Sequence, residues 1–387
     1  MSIFYEIEFA KYILPYRVIE PDKKTICKKD IAIRDGYVVD YDKTINYEIK
    51  DEINAEGYYV SPGWVDSHVH IFKEGTEPGF DADLNLIPMG ITAAIDGGSS
   101  GAGNWPVFKR TVVDNSYLNI FYSVNVSTSG QITESYPENV DPNHFDEVAV
   151  RHIFESDPEH ARGLKLRYGA EVVEPFGEIV LDKTIELAEK LHCAITLHVT
   201  NAASPMDRIV NKMRPGDVIC HIYQGKQNTI LDDNGKVKQA VWDARKRGVY
   251  FDSADARINH CYRVIYPAIA QGFYPDIIST DITKNGLFNN MLWGLPVVLS
   301  KWLNLGFPLI DVITACTFNP AKIHKLPWGI GTLKTGAKGN VTIFSVEDHP
   351  FHLKNRMGEE FDGKKMIMPQ TTIVNGKIRF KSLYFPF

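Results

Sequence analysis

The sequence is poor in the features that mark secreted and membrane-bound proteins. Its five cysteines are an odd number and include no CxxC pair, which predicts free thiols in a reducing compartment rather than a disulfide framework. The apolar runs are far shorter than the ~20 residues that span a bilayer. The first residues lack the basic and apolar segments of a signal peptide. We therefore expect a cytoplasmic protein without a membrane partner.

No basic stripe interleaved with aromatic residues is present, and acidic residues outnumber basic ones. Lys and Arg total 42 against 48 Asp and Glu, a net charge of -6, so we expect no nucleic-acid partner. Repeats and low-complexity segments are also absent, which favours a globular chain. At 387 residues, the chain has room for a barrel of about 250 residues and a smaller unit. The sequence is compatible with a homo-oligomer.

Both ends of the sequence predict β structure. Short alternating runs flank Asp35-Gly36 near the start and Asn375-Gly376 near the end, and both dipeptides suit tight primed hairpin turns. Neither end shows a helical period. We predict that residues 1–58 and 330–387 form one small β-sandwich domain that is split in the sequence.

Residues 59–329 alternate short apolar strands with amphipathic helices, which is the pattern of βα units and a parallel sheet. About eight strands are legible, the number that closes a TIM barrel. We therefore predict a (β/α)8 TIM barrel domain over these residues. The candidate strands are Tyr59–His68, Thr92–Asp96, Asn119–Val126, Gly163–Tyr168, Ala194–Thr200, Asp217–His221, Val249–Asp252 and Ile277–Asp281.

Candidate metal ligands close several of these strands. His68 and His70 are two residues apart, and this spacing in a strand directs both imidazoles to one face. An HxH pair arises readily by chance in a chain with 12 histidines, and a core histidine is the alternative for each. His198, His221 and Asp281 also end apolar strands, and such ends meet at one mouth of a barrel. Their convergence predicts a site for Zn²⁺ or a similar ion.

Lys165 lies between Leu164 and Leu166 in a candidate strand, and the alternation points it into the barrel. A buried ammonium group is costly unless it is paired or neutralised. Two interpretations follow. The lysine pairs with a barrel carboxylate, or its neutral amine adds carbon dioxide beside two metal ions and becomes a bridging carbamate.

These residues resemble the binuclear amidohydrolase superfamily, and most closely its dihydroorotase-like deacetylases. The resemblance covers essentially the full chain and includes the motifs PGWVDSHVH, IDGGSSGAGNW, PDIISTD, FNPAKI and GTLKTGAKGNVTIF. It implies two divalent metal ions, with Zn²⁺ as the expected metal. The implied ligands are His68, His70 and Asp281 at the first ion, His198 and His221 at the second, and Lys165 as a carbamate that bridges both.

The resemblance implies a metal-dependent hydrolase of amide or ester bonds. Its substrates would be small N-acyl or O-acyl acids that carry a carboxylate. A hydroxide shared by the two ions would be the nucleophile, and Asp281 would be the catalytic proton shuttle. Two alternatives stay open: a cyclic amidase of the dihydroorotase or hydantoinase kind, and a non-catalytic barrel that serves as a scaffold.

Four residues are candidates for substrate binding. Arg167 shares the inward face with Lys165 and suits a substrate carboxylate, although an ion pair within the barrel mouth is an equal alternative. Asn125 ends the third candidate strand. Gly98 and Ser99 belong to a glycine-rich turn whose backbone amides could bind a ligand, with a plain tight connection as the alternative.

The sequence departs from the resembled deacetylases after the seventh candidate strand. Asp255 stands where those proteins tend to carry histidine. An anion in the mouth would select a different substrate, or His260 would fill the same space from five residues along. This departure leaves the acetyl specificity open.

Overall fold

The computed structural model describes residues 10–40, 49–256, 258–288 and 294–385. Residues 1–9 of the predicted β domain and Trp293, which the sequence suggests is a core or interface residue, lie outside these ranges. The strands, in chain order, are β1 Ala10–Glu20, β2 Thr25–Cys27, β3 Ile31–Arg34, β4 Tyr37–Val39, β5 Ile49–Pro62, β6 Trp64–Val69, β7 Ile91–Asp96, β8 Asn119–Asn125, β9 Ala161–Arg167, β10 Ala194–His198, β11 Val218–Cys220, β12 Tyr250–Asp252, β13 Val341–Lys354, β14 Glu360–Val374 and β15 Lys377–Lys381.

Strands β6 to β12 form a parallel sheet in which neighbours in space are neighbours in sequence. The segment predicted as the eighth strand, Ile277–Asp281, is not a regular strand in the structure. The ring is closed there by isolated bridges, from Ile277 to Asp252 on one side and from the following residue, Ile282, to Val69 on the other. The backbone N–H of Asp281 also donates to the carbonyl oxygen of His68 at 2.8 Å. The prediction of a (β/α)8 TIM barrel is confirmed.

Helices follow the barrel strands and cover them. The apolar spacing predicts a helix over residues 236–247, but the helix begins at Gln239 because Val237 forms a bridge with Leu231. None of the described helices has the length and apolar character to traverse a bilayer. Their bounds are α1 Ala82–Leu86, α2 Trp105–Thr111, α3 Glu147–Ser156, α4 Ala170–Val173, α5 Ile179–Lys190, α6 Met206–Lys212, α7 Gln239–Arg247, α8 Tyr262–Ala270, α9 Lys284–Phe288, α10 Leu295–Asn304, α11 Leu309–Ala315 and α12 Phe318–Ile323.

Strands from both ends of the chain form a second sheet, which we call the end sheet. Its strand order is β15-β14-β13-β5-β1-β3-β4, with β2 paired to β1. Ile33 of β3 and Ile373 of β14 lie in opposite halves of this order, yet they share one apolar cluster. The sheet therefore folds over itself as a sandwich does. In both predicted hairpins, Asp35-Gly36 and Asn375-Gly376, all the turn residues have positive φ, as primed turns require.

The chain passes from this end sheet into the barrel at Gly63. Strand β5 runs to Pro62, beyond the predicted boundary at residue 58, because Ser61 and Pro62 still pair with β13. A Cβ atom on Gly63 would lie 2.1 Å from Oγ1 of Thr92, so only glycine allows so close an approach to β7. The assignment of the chain to separate domains stays a prediction.

The apolar core fixes which side chains of β9 face the barrel centre. Leu164 and Leu166 are fully buried in the main apolar cluster, together with residues of the covering helices. Because side chains of a strand alternate between its two faces, Lys165 between them points into the barrel, as the sequence predicts. It is also buried, with an exposed fraction of 1%.

Candidate active site

Predicted site residues from four parts of the chain meet at the carboxyl ends of the barrel strands. Nζ of Lys165 lies 2.7 Å from Nε2 of His68. Oδ1 of Asp281 lies 3.5 Å from Nε2 of His68 and 3.2 Å from Nε2 of His70. Oδ2 of the same carboxylate lies 3.7 Å from Nε2 of His221. Asp281 is therefore the hub that joins the three imidazoles.

The sixth predicted residue completes this group. The ring centroid of His198 lies 4.4 Å from that of His221, which in turn lies 5.1 Å from that of His68. We call these six side chains, which the sequence predicts as metal ligands, the ligand cluster: His68, His70, Lys165, His198, His221 and Asp281. Sequence reasoning brought together the same six residues that the fold brings together.

Unusual backbone geometry aims two members of the ligand cluster. His221 has a φ of 67° and Asp281 a φ of 51°, a conformation that is uncommon for residues other than glycine and is concentrated at functional sites. Cys220 pairs with His198 across β10 and β11, so its side chain shares the inward level of that histidine. Regular alternation would point His221 outward, and the positive φ turns it inward.

Burial keeps three of the imidazoles neutral. Burial, and then the nearby charge of Lys165, holds the pKa of His68 well below its usual range. Burial and then His221 lower the pKa of His198 in the same way, and burial lowers the pKa of His221 to about 4. Neutral imidazole is the form that ligates a metal ion. These histidines are therefore ready to bind a cation near neutral pH.

The carboxylate of the cluster stays charged. Burial acts to raise the pKa of Asp281, but the hydrogen bond from His70 and the electrostatic interactions with the neighbouring members of the cluster outweigh it, and the pKa is lowered. The side chain is 14% exposed, so it contacts the cluster on one side and reaches the cavity on the other. Such a group can accept a proton from a reacting molecule.

Backbone and hydroxyl groups fix the orientation of two ligand rings. Nδ1 of His221 lies 2.7 Å from the carbonyl oxygen of Ala254, which favours a proton on Nδ1 and leaves Nε2 as the ligating atom. That Nε2 is buried and has no hydrogen-bond partner among the described residues. Nδ1 of His70 lies 3.0 Å from Oγ of Ser99. Buried nitrogen atoms oriented in this way are typical of metal ligands.

The ligand cluster opens onto a cavity of about 320 Å³, within the size range of small-molecule sites. Every member except His221 lines it. The walls carry charged and polar side chains from several parts of the chain, among them Glu134, Arg167, Glu171, Lys226, Asn259 and Arg356.

The predicted substrate-binding residues lie in two different places. Arg167 lines the cavity, but its Nη1 lies 2.8 Å from Oε2 of Glu138, which is the ion-pair alternative. Asn125, Gly98 and Ser99 do not line the cavity, because they lie beneath the ligand cluster.

The contacts of this lower group are with the cluster rather than with the cavity. The amide of Asn125 donates to the Gly98 carbonyl at 3.0 Å, and a Cβ atom on Gly98 would lie 2.6 Å from Cβ of Lys165. Their predicted contact with substrate therefore gains no support. The geometry gives Asn125, Gly98 and Ser99 the role of packing under Lys165 and orienting His70.

Comparison with known proteins now identifies the family. The sequence profile of the Amidohydrolase family matches residues 155–379, more than half of the chain. The chain belongs to the amidohydrolase family. A deacetylase from Enterococcus faecalis is 29% identical over 352 residues, which cover 90% of this chain and 94% of the relative.

Solved structures show the same fold. A crystal structure of an adenine deaminase superposes with a TM-score of 0.88 at 27% identity, covering 96% of this chain and 99% of the other. A crystal structure of a dihydroorotase gives a TM-score of 0.85 at 24% identity, covering 95% and 98%. Membership of the amidohydrolase family makes this protein a hydrolase, as the sequence predicts.

The donor groups of this amidohydrolase fit divalent metal ions. Two sets of three donors lie close enough together to share an ion, His68 with His70 and Asp281, and His68 with Cys220 and His221. The first set matches the ligands predicted for the first ion. The predicted second set, with His198 and His221, does not recur among the groups found in the described residues. Imidazole, carboxylate and thiol donors together suit zinc.

Cys220 is the functional candidate that sequence reasoning missed. The sequence predicts only a buried thiol, whereas Sγ lies 3.8 Å from Nζ of Lys165 inside the barrel. The signal that could have identified Cys220 is its register in β11. Cys220 pairs with His198 as His198 pairs with Arg167, so all three side chains occupy one inward level.

The departure at Asp255 does not place an anion in the mouth of this amidohydrolase. Its carboxylate pairs with the ammonium group of Lys301 in α10, and both side chains are buried, at 1% and 0% exposure. His260 does not fill the vacated space either. Its Nδ1 lies 3.2 Å from the carbonyl oxygen of Asp255, and neither residue lines the cavity.

Proposed function

We propose that this amidohydrolase uses two divalent metal ions to remove acyl groups from small N-acyl or O-acyl acids that carry a carboxylate. The observation that carries the proposal is the meeting of the six-residue ligand cluster, of which every member except His221 lines one small-molecule cavity. The similarity to a protein named deacetylase supports acyl transfer to water over other hydrolytic reactions.

The surroundings of Lys165 support a carbamate. Within the described part of the chain, no carboxylate forms an ion pair with its Nζ, and the near polar atoms are Nε2 of His68 and Sγ of Cys220. An ammonium group among imidazoles would be poorly stabilised. A neutral amine can instead take up carbon dioxide and become a carbamate. Its anionic oxygen atoms would suit a position between the two sets of metal-donor side chains.

The chain's own residues then perform three tasks. Bound divalent ions, with Zn²⁺ favoured by the donors, would polarise the acyl carbonyl and lower the pKa of water. His68, His70, His198 and His221 would hold these ions together with Lys165. Asp281 would accept a proton from the attacking water and deliver it to the leaving nitrogen or oxygen. Its lowered pKa keeps it in the form that accepts.

A cyclic amidase is the second candidate, because the dihydroorotase structure shares the fold over nearly the whole chain. The test is a substrate panel on protein loaded with zinc in the presence of bicarbonate. The panel contains N-acetyl acids, O-acetyl acids, dihydroorotate, hydantoin and adenine. We expect hydrolysis of the acyclic acids. Turnover confined to the cyclic compounds would overturn the acyl assignment.

Metal analysis distinguishes the two enzymatic candidates, the deacylase and the cyclic amidase, from a non-catalytic scaffold. We expect close to two ions per chain after growth with zinc, held by the cluster described above. A metal content far below two ions, together with inactivity across the panel, would favour a non-catalytic barrel.

A further inference from the structure

The tip of the β13–β14 hairpin reaches from the end sheet to the mouth of the barrel. Asn355 at this tip is buried, and its amide donates to the carbonyl oxygen of His260 at 2.9 Å. Its Oδ1 accepts from the backbone N–H groups of Met357 at 3.0 Å and Glu359 at 2.9 Å. One side chain thus shapes the turn and fastens it to the loop before α8.

Glu359 makes the second attachment. Its carboxylate accepts from the backbone N–H groups of Tyr262 at 2.8 Å and Arg263 at 3.3 Å, at the start of α8. A carboxylate is favourable there because the first N–H groups of a helix lack partners within the helix. The hairpin tip is therefore held in a defined place on the mouth.

A close backbone approach brings the loop after β11 against this tip. A Cβ atom on Gly225 would lie 2.5 Å from Sγ of Cys261 and 2.9 Å from Sδ of Met357. The next residue along the loop is Lys226, and the residue before Met357 is Arg356. Both line the cavity, so the contact at Gly225 sets two cationic side chains on the same part of the rim.

Other charged groups of the cavity are already engaged. Arg167 is paired with the buried Glu138. The carboxylate of Glu134 accepts from the amide of Asn285 at 2.8 Å, and that of Glu171 accepts from Asn201 at 2.9 Å. In the described ranges, neither Lys226 nor Arg356 forms an ion pair. Outside the ligand cluster, these two cations of the described cavity wall remain available to an anionic ligand.

We propose that Lys226 and Arg356 form an anion subsite that binds the carboxylate of the acylated substrate. The inference rests on the proposed function, and it moves carboxylate recognition from Arg167 in the barrel to a hairpin of the end sheet. An arginine offers two parallel N–H groups to a carboxylate, and the lysine adds a point charge. The acyl group then points toward the ligand cluster while the carboxylate stays at the rim.

The test compares each N-acetyl amino acid with its own carboxamide. The ratio of the two kcat/KM values isolates the contribution of the carboxylate. We expect wild type to favour the acid. In the double variant Lys226→Gln/Arg356→Gln, the ratio of acid to carboxamide should be at least about tenfold lower than in wild type, because charged hydrogen bonds to the carboxylate are lost. Removal of the acetyl group from the carboxamide substrate should persist, and this activity reports that the variant is folded and metal-loaded.

Two further variants sharpen the result. Arg379→Gln is the matched control, because this exposed arginine lies 3.8 Å above the ring of Tyr117 and outside the cavity; its ratio should equal that of wild type. Gly225→Ala keeps both cations, but its methyl group would lie 2.5 Å from Sγ of Cys261 and 2.9 Å from Sδ of Met357, so the loop after β11 must shift relative to its neighbours. The ratio should fall in this variant as well.

The outcomes separate the subsite from the proposed function. An unchanged ratio in the double variant, or a wild type that prefers the carboxamide, overturns the subsite and leaves the deacylase intact. A fully metal-loaded wild type that cleaves neither the acids nor the carboxamides overturns the deacylase, and the subsite with it.

Discussion

The hydroxyl oxygen of Ser99 lies 3.0 Å from Nδ1 of His70. Nε2 of the same ring lies 3.2 Å from Oδ1 of Asp281, so the imidazole is held at both of its nitrogens. Ser99 is itself held by Asp96, whose Oδ1 accepts from the Ser99 backbone N–H at 2.6 Å. The turn after β7 therefore sets the orientation of a predicted metal ligand that directly follows β6.

Replacing Ser99 with alanine should weaken metal binding without unfolding the protein. Partners of metal-ligating histidines are worth about 10–100-fold in metal affinity or activity, and we expect a loss in that range. Metal affinity is measured by competition with a chelator. Ser127→Ala is the matched control, because Oγ of Ser127 contacts Oγ of Ser129 and, among the described residues, no histidine. Equal affinities in the two variants would contradict an orienting role for Ser99.

Replacing Lys165 with alanine should remove at least one metal ion and abolish turnover. Because outer partners alone are worth up to about 100-fold, we expect a rate loss of more than about 100-fold. Small carboxylic acids should restore part of the rate by supplying the missing anionic oxygen atoms. The checks are metal content and rate, with and without acetate or propionate. Full metal content and wild-type rate would show that Lys165 is not a ligand.

Periodicity explains why so much of the ligand cluster was predictable from the sequence. The two-residue spacing of His68 and His70, and of Leu164 and Leu166 around Lys165, places side chains without knowledge of the tertiary fold. Once eight strands are recognised, the closure of a barrel brings their carboxyl ends together. The ligand positions follow from local pattern and one topological rule.

The features that the sequence did not predict depend on contacts between distant segments or on irregular backbone. Cys220 and His221 both face inward because a positive φ interrupts alternation, and no spacing rule contains that angle. Arg356 reaches the cavity only because a hairpin far along the chain docks on the loop before α8. The pairing of Asp255 with Lys301 likewise joins a loop to a helix 46 residues away.

The buried pair of Asp255 and Lys301 predicts a strong effect on stability. Burial lowers the pKa of Lys301, and the adjacent carboxylate opposes that shift. Lys301→Met leaves a buried carboxylate without its partner, which should lower the free energy of unfolding by about 3–5 kcal/mol. The double variant Lys301→Met/Asp255→Asn should recover much of this loss. Urea denaturation measures both, and a single variant as stable as wild type would contradict the pairing.

His324 predicts how stability depends on pH. Burial, and then the positive charge of Arg162, lowers the pKa of this histidine to about 4, whereas a histidine in an unfolded chain has a pKa of about 6.5. Between these values the unfolded chain binds a proton that the folded chain lacks. Acidification through this range therefore lowers the free energy of unfolding, by up to about 1.4 kcal/mol per pH unit.

The variant His324→Asn should lose this contribution, so its free energy of unfolding should fall less steeply between about pH 6.5 and about pH 4. Urea denaturation of metal-free protein across the range measures the slope. The histidines of the ligand cluster contribute with the same sign in both proteins and cancel in the difference. His352→Asn is the control, because this side chain is 54% exposed on β13. Parallel slopes for wild type and His324→Asn would show that His324 takes up its proton equally in both states.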